Sequence, residues 1–221
     1  MNAHTPRIFH ARIILLAALI LGLAMLWGCA KPQQGPSLPA VSIGLAEFTQ
    51  PQATTDMLAG YMPENTPRVA PKELLQLTDT FIGVLRSETK RSYASPEKFL
   101  ECREAKAPGQ KNNRVAALKH WVAVGNCMEV DFLVVPQVMQ LREREGGTAG
   151  VASPAGVVMD IFLVDVKNGV LTSRSHFEET QLALADNLLE TGKFFSRGGK
   201  WITAVELARE GMVKAVKDLG L

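Results

Sequence analysis

Few residues of this 221-residue chain are of types that do chemistry, and their spacing limits what they can do. Glu178 and Glu179 are adjacent carboxylates, but neighbours on a strand point to opposite faces, so they cannot act on one substrate as acid and base. His120 falls in a helical stretch beside Trp121 and His176 in a strand-like stretch beside Phe177, neither with an identifiable serine or cysteine to activate. Gly146-Gly147-Thr148-Ala149-Gly150 lies between two strand patterns, not between a strand and a helix, and reads as a connection instead of a phosphate cradle. Ser196-Arg197-Gly198-Gly199-Lys200-Trp201 places two cations around glycines beside an aromatic ring. That group suits an anionic glycan or a phosphate if it converges with His176, and otherwise it is a solvated loop with Trp201 tucked into the core. Nothing in these patterns asks for a cofactor, and the chain is expected not to be an enzyme.

Three cysteines remain to be placed. Cys102, His120 and Cys127 lack the paired short spacing of a zinc site and supply at most three ligands, so no metal is expected. In an oxidising compartment Cys102 and Cys127 either pair or stay as two separately buried thiols, because sequence gives no distance between them. Cys29 is different in kind. It follows Arg7 and Arg12, the apolar run Ile13 to Leu26, and Trp27-Gly28, the order of a basic region, an apolar core and a small residue before a cut. The 14 residues from Ile13 to Leu26 are short of the ~20 needed to cross a bilayer, which favours a processed leader over a permanent span. The competing reading, an uncleaved anchor, takes Ile13 to Ala30 as one uncharged stretch.

Leu26-Trp27-Gly28-Cys29 resembles the bacterial lipobox. The resemblance implies cleavage before Cys29, acylation of that cysteine as the membrane anchor and, with Ala30 following, sorting to the outer membrane facing the periplasm. Lys31 to Pro39 is then a proline-rich tether spanning on the order of 30 Å. The division is a leader over 1–28, lipidated cysteine and tether over 29–40, and one domain over 41–221. Removing the leader leaves 221 − 28 = 193 residues, the length of one domain with a sizeable core. It also removes two of 24 basic residues and none of 22 acidic ones, leaving charge balanced and nucleic acid an unsuitable partner.

The elements behind these residues follow from periodicity. Val41 to Phe48 alternates as a strand, with Val41, Ile43 and Leu45 on one face and Ala46 and Phe48 on the other. A helix from Pro71 carries Leu74, Leu77, Phe81 and Leu85, and a second opens at Ser95-Pro96-Glu97 with Phe99 and Leu100. A third places Val115, Leu118, Trp121 and Val122 on one side and ends about Gly125-Asn126. Phe132 to Val135 reads as a strand covered on both faces, and Gly156–Val166 and Val170–Thr180 as a hairpin turned at Asn168-Gly169. Thr203 and Glu206 open a last helix that stops at Gly220. The sum is an α/β domain with a single mixed sheet: a strand, helices, three largely antiparallel strands and a C-terminal helix, in two or three layers. Its 22-residue segment Thr49 to Ala70 is long for a connection, and Met57, Leu58, Tyr61 and Met62 either form a recognition surface or close over the domain's own core.

This order of hydrophobic and turn patterns, from Val41–Phe48 through Val130–Val135 to Val164–Gly169, looks like the TolB amino-terminal domain and its relatives, among them periplasmic lipoproteins of the curli-secretion and penicillin-binding-protein activator kinds. The resemblance implies the fold and a binding or assembly role beside another envelope protein. It carries no functional residue over, and the segments 137–153 and 181–201 depart from a minimal domain of that kind.

Overall fold

The computed structural model describes residues 41–64, 66–105, 113–146, 151–181 and 201–221; the leader, Cys29, the tether, Arg197 and Lys200 lie outside them. The described chain runs β1 (Ile43–Leu45), α1 (Pro71–Glu88), α2 (Pro96–Ala105), α3 (Arg114–Met128), β2 (Phe132–Arg142), β3 (Glu145–Gly146), β4 (Val151–Ser153), β5 (Gly156–Asp165), β6 (Val170–Thr180) and α4 (Ala204–Leu219). One mixed sheet has the order β1-β2-β5-β6, with β1 parallel to β2 and the other neighbours antiparallel, while β3 and β4 pair separately. It is the single α/β domain that the order of elements predicts, in its three-layer form.

Both faces of β2 and β5 are apolar because both are covered. Val134, Val138, Met159, Ile161 and Leu163 pack with Phe81 of α1 and Met212 of α4. Leu133, Val135, Phe162 and Val164 pack on the opposite face with Phe99 of α2 and Trp121 of α3. Each such side chain contributes about 1.5–3 kcal/mol when fully buried, so the two cores hold the layers together. Local signals set the helix ends: Glu73 caps α1 at Ala70 N–H, and Thr203 and Glu206 close a capping box on α4.

Two expectations fail in detail. Phe48 joins the same core as Ile43 and Leu45, not the face of Ala46. Strand pairing ends at Leu45, and the Phe48 N–H turns to donate to Thr78 Oγ1 on α1 at 2.9 Å, which breaks the alternation. Helix α3 continues past Gly125-Asn126 to Met128 and ends at a left-handed Glu129 (φ 58°); its buried face is Trp121, Val124 and Met128, and Val115 is exposed. Gly125 serves packing, not termination. A Cβ there would lie 2.4 Å from Val166 Cγ2, so only glycine lets α3 approach β5 this closely.

Asp131 fastens β1 to β2 by accepting from Ser42 N–H at 2.8 Å and Ser42 Oγ at 2.6 Å, which holds its carboxyl below the ordinary range. The Thr203 hydrogen bonds do the same for Glu206, and at Asp218 burial pushes upward but is outweighed by hydrogen bonds from Lys214 and Ser175. A carboxyl lowered in the folded state adds stability that is complete above its unfolded value, about 4, and disappears as pH falls through the folded one. The melting midpoint is therefore expected to drop below about pH 4, and Asp131→Asn to lower it at neutral pH while flattening the acid limb. Parallel acid limbs for wild type and variant would remove Asp131 from this account.

Candidate functional site

The long segment after β1 is a packed loop. It runs beside β2, with Thr49 N–H donating to Pro136 O and Val138 N–H to Thr49 O, then makes a 3-10 turn at Thr54–Asp56 that Asp56 Oδ2 closes by accepting from Gln52 and Ala53 N–H. Met57 is buried against Met139 and Val158, and Leu58 enters the core beneath α2 and α3. Both close over the domain's own interior and are removed from any docking surface. Met62 packs part-buried beside Met57, and Tyr61 is half-exposed.

Beneath this loop lies a charged array that sequence reading missed. Asp160 is fully buried in β5; Arg174 donates to both its oxygens at 2.8 and 3.0 Å, and His176 Nδ1 is 2.8 Å from Oδ1. His176 Nε2 faces Glu178 Oε2 at 3.4 Å, and Tyr61 Oη donates to that oxygen at 2.6 Å, which raises the tyrosine above its ordinary value. An aspartate and a histidine so placed could move a proton, but there is no room for a substrate against the aspartate. Gly60 (φ +87°) lies on the pair so closely that a Cβ would stand 2.6 Å from Arg174 Nη2 and 2.9 Å from Asp160 Oδ2. The Gly60 carbonyl in turn accepts from Arg114 at the start of α3. The array is a clamp on the loop.

A cleft of about 1200 Å³ opens between α1 on one face of the sheet and α2 and α3 on the other, along the chain that leaves the carboxyl end of β1. Such crevices are where open α/β sheets usually bind ligands. Leu74 and Leu75 form the α1 wall, Phe99, Leu100 and Arg103 the α2 wall, and Ala116, His120 and Trp121 the α3 wall. Thr49 and Thr55 of the loop and Gln137 of β2 line it as well. The Thr49 and Thr55 hydroxyls and Gln137 Oε1 are turned away from solvent and have no hydrogen-bond partner among the described residues. The charges at its edge are already matched: Arg103 Nη1 sits 2.7 Å from Glu47 Oε2.

The α2 wall is fixed by covalent and aromatic contacts. Cys102 and Cys127 form a disulfide from α2 to α3, with Cα atoms 5.6 Å apart, and the Phe99 and Trp121 rings stack at 6.5 Å between centroids. Lys98 adds an exposed ion pair to Glu129. Of the remaining sequence candidates, Trp201 is half-buried just before α4, and Arg197 and Lys200 lie outside the described residues. His176, required by the anion-site reading, is engaged by Asp160 and Glu178 on the clamp. No cluster of three metal-ligating side chains exists among the described residues, and no described helix is long and apolar enough to cross a membrane.

The cleft escaped the sequence because Thr49, Gln137 and Trp121 are far apart in the chain and no local pattern joins them. The clamp left a signal: Asp160 is the one charge in Val157-Val158-Met159-Asp160-Ile161-Phe162, and a buried carboxylate needs a partner.

No family model matches the chain. No curated protein matches it either. Solved structures similar to it include a variant of the PelC dodecamer from Paraburkholderia phytofirmans, at 13% identity over 87% of this chain and 98% of that one with a TM-score of 0.46. LpoB from E. coli is similar at 9% identity over 70% of this chain and 78% of that one (TM-score 0.38). The lipoprotein GNA1162 from Neisseria meningitidis is similar at 12% identity over 74% and 99% (TM-score 0.37). These are likenesses of outline and carry no function to this chain.

Proposed function

We propose that this chain is a lipid-anchored, non-enzymatic binding module of the bacterial cell envelope, cut before Cys29, acylated there, facing the periplasm from the outer membrane, and docking another envelope protein in the cleft between α1 and α2–α3. The lipobox-like Leu26-Trp27-Gly28-Cys29 supports the anchor. The cleft supports the binding role: it is open, about 1200 Å³ in volume, and Leu75 and Leu100, both exposed, lie in its walls. The order of strands and helices supports the resemblance to TolB-like domains.

The anchor is tested by intact mass of the protein from membranes, wild type beside Cys29→Ala, with fractionation of the envelope. Expected is a chain lacking residues 1–28 and carrying acyl mass, with both features lost in the variant and the protein released from the outer membrane. A full-length unacylated chain would overturn the lipoprotein reading.

A further inference from the structure

We infer that the Cys102–Cys127 disulfide is a redox latch on the cleft: closed, it holds α2 in place as a wall, and when a dithiol reduces it α2 comes away while the sheet and the other helices stay folded. The release of α2 follows from its own packing; what that release does to docking rests on the binding-module reading above.

Little besides this bond holds α2. Among the described side chains of Pro96–Ala105 only Phe99 and Cys102 are buried, and Cys102 is one end of the bond. Phe99 stacks on Trp121, and the ion pairs from Lys98 to Glu129 and from Arg103 to Glu47 each have at least one exposed partner, so water and salt weaken them. A helix of 10 residues is too short to persist unsupported. The rest of the domain does not lean on it. No described residue of α2 enters the core that α1 and α4 share with the sheet, and on the other face Trp121, Val124 and Met128 of α3 belong to one core with Leu133 and Phe162 of the sheet. Opening the bond therefore frees one short helix and not the fold, as a local unit opens below the global transition.

Of the two cysteines, Cys127 is the half-buried one, next to the exposed Asn126, so it is the sulfur that an incoming thiolate meets. The donor thiolate attacks Cys127 Sγ, the disulfide bond breaks, and its electron pair leaves on Cys102 Sγ, which takes up a proton. The donor's second thiolate then displaces Cys127, which is protonated in turn; two electrons have passed to the protein and the donor ends as a disulfide. A disulfide oxidant reverses the sequence, and an oxidising compartment keeps the latch closed by default. Reduction takes Phe99, Leu100 and Arg103 out of the cleft wall, and Trp121 loses the ring stacked on it.

The test uses the protein purified from membranes in detergent, held without denaturant in buffers of reduced or oxidised dithiothreitol. Thiols are counted by alkylation and mass, and amide exchange is followed peptide by peptide. Reduction is expected to yield the Cys102 and Cys127 thiols in folded protein and to speed exchange across residues 99–105 about a hundredfold, the loop-closure entropy of one disulfide, while β2 and β5 stay the most protected segments. Oxidised dithiothreitol should restore α2, and Cys102→Ala with Cys127→Ala should exchange fast in both buffers. Loss of β2 and β5 protection to the level of α2 on reduction would make the bond a staple of the whole fold and overturn the latch. Unchanged exchange in reduced α2, or a bond that dithiothreitol opens only after denaturation, overturns it too. None of these readouts involves Cys29 or a partner, so a failed lipoprotein reading leaves the latch standing and a failed latch leaves the lipoprotein reading.

Discussion

Arg174→Met is expected to lower the unfolding free energy by about 3 kcal/mol, at the lower end of the 3–5 kcal/mol typical when one partner of a buried ion pair is removed. The lower end applies because the Arg174 side chain is 31% exposed, whereas Asp160 is fully buried and loses two of the three donors that reach it. The penalty is the stranded carboxylate more than the lost attraction. Asp160→Leu combined with Arg174→Met should therefore recover most of the loss, since an ion pair replaced by apolar side chains of similar volume is often neutral. Urea unfolding of the four members of the cycle measures this. If the single and double variants are equally destabilised, the carboxylate is not the origin of the cost. Because Gly60 rests on this pair, Arg174→Met should also speed hydrogen exchange or proteolysis within residues 53–62 before the rest of the sheet opens.

Cys102→Ala with Cys127→Ala is expected to cost about 3.5 kcal/mol, the chain entropy of closing a loop with the observed sequence separation of 25. For a domain of this size that corresponds to a melting midpoint about 10 °C lower, readable by calorimetry. Helix α2 should suffer first, because its buried contacts are few, chiefly Phe99 and Cys102. Loosening α2 withdraws Phe99, Leu100 and Arg103 from the cleft, so docking of a partner there should weaken together with stability. A change under 1 kcal/mol would mean that the Phe99–Trp121 stack and the Lys98 and Arg103 ion pairs hold α2 without the disulfide.

The sheet and helices were legible because their signals are local or periodic. Pro71 starts α1, Ser95-Pro96 starts α2, the Thr203/Glu206 box starts α4, and Asn168-Gly169 lies in the turn between β5 and β6. What misled was a residue with two uses. Gly125 signals a helix end in sequence, yet the structure uses its missing Cβ to seat α3 on Val166. Met57 and Leu58 look equally suited to a partner and to a core, and only their burial separates the two.

Register shows most clearly where sequence stops. Counting back from Asp165 opposite Val170 would put Ser175 opposite Asp160, but an extra residue at Thr172 shifts the ladder by one and sets His176 there instead. A shift of one residue exchanges the two faces of a strand, so this bulge directs Arg174 and His176 to Asp160 and Ser175 to Asp218 on α4. By itself the sequence determined the elements, their order and the single mixed sheet, since caps, turns and hydrophobic period act over a few residues. Tertiary structure decided the bulge, the 5.6 Å between the cysteine Cα atoms and the joining of Thr49, Gln137, Leu75 and Leu100 in one cleft, because each depends on distances between segments that no local pattern encodes.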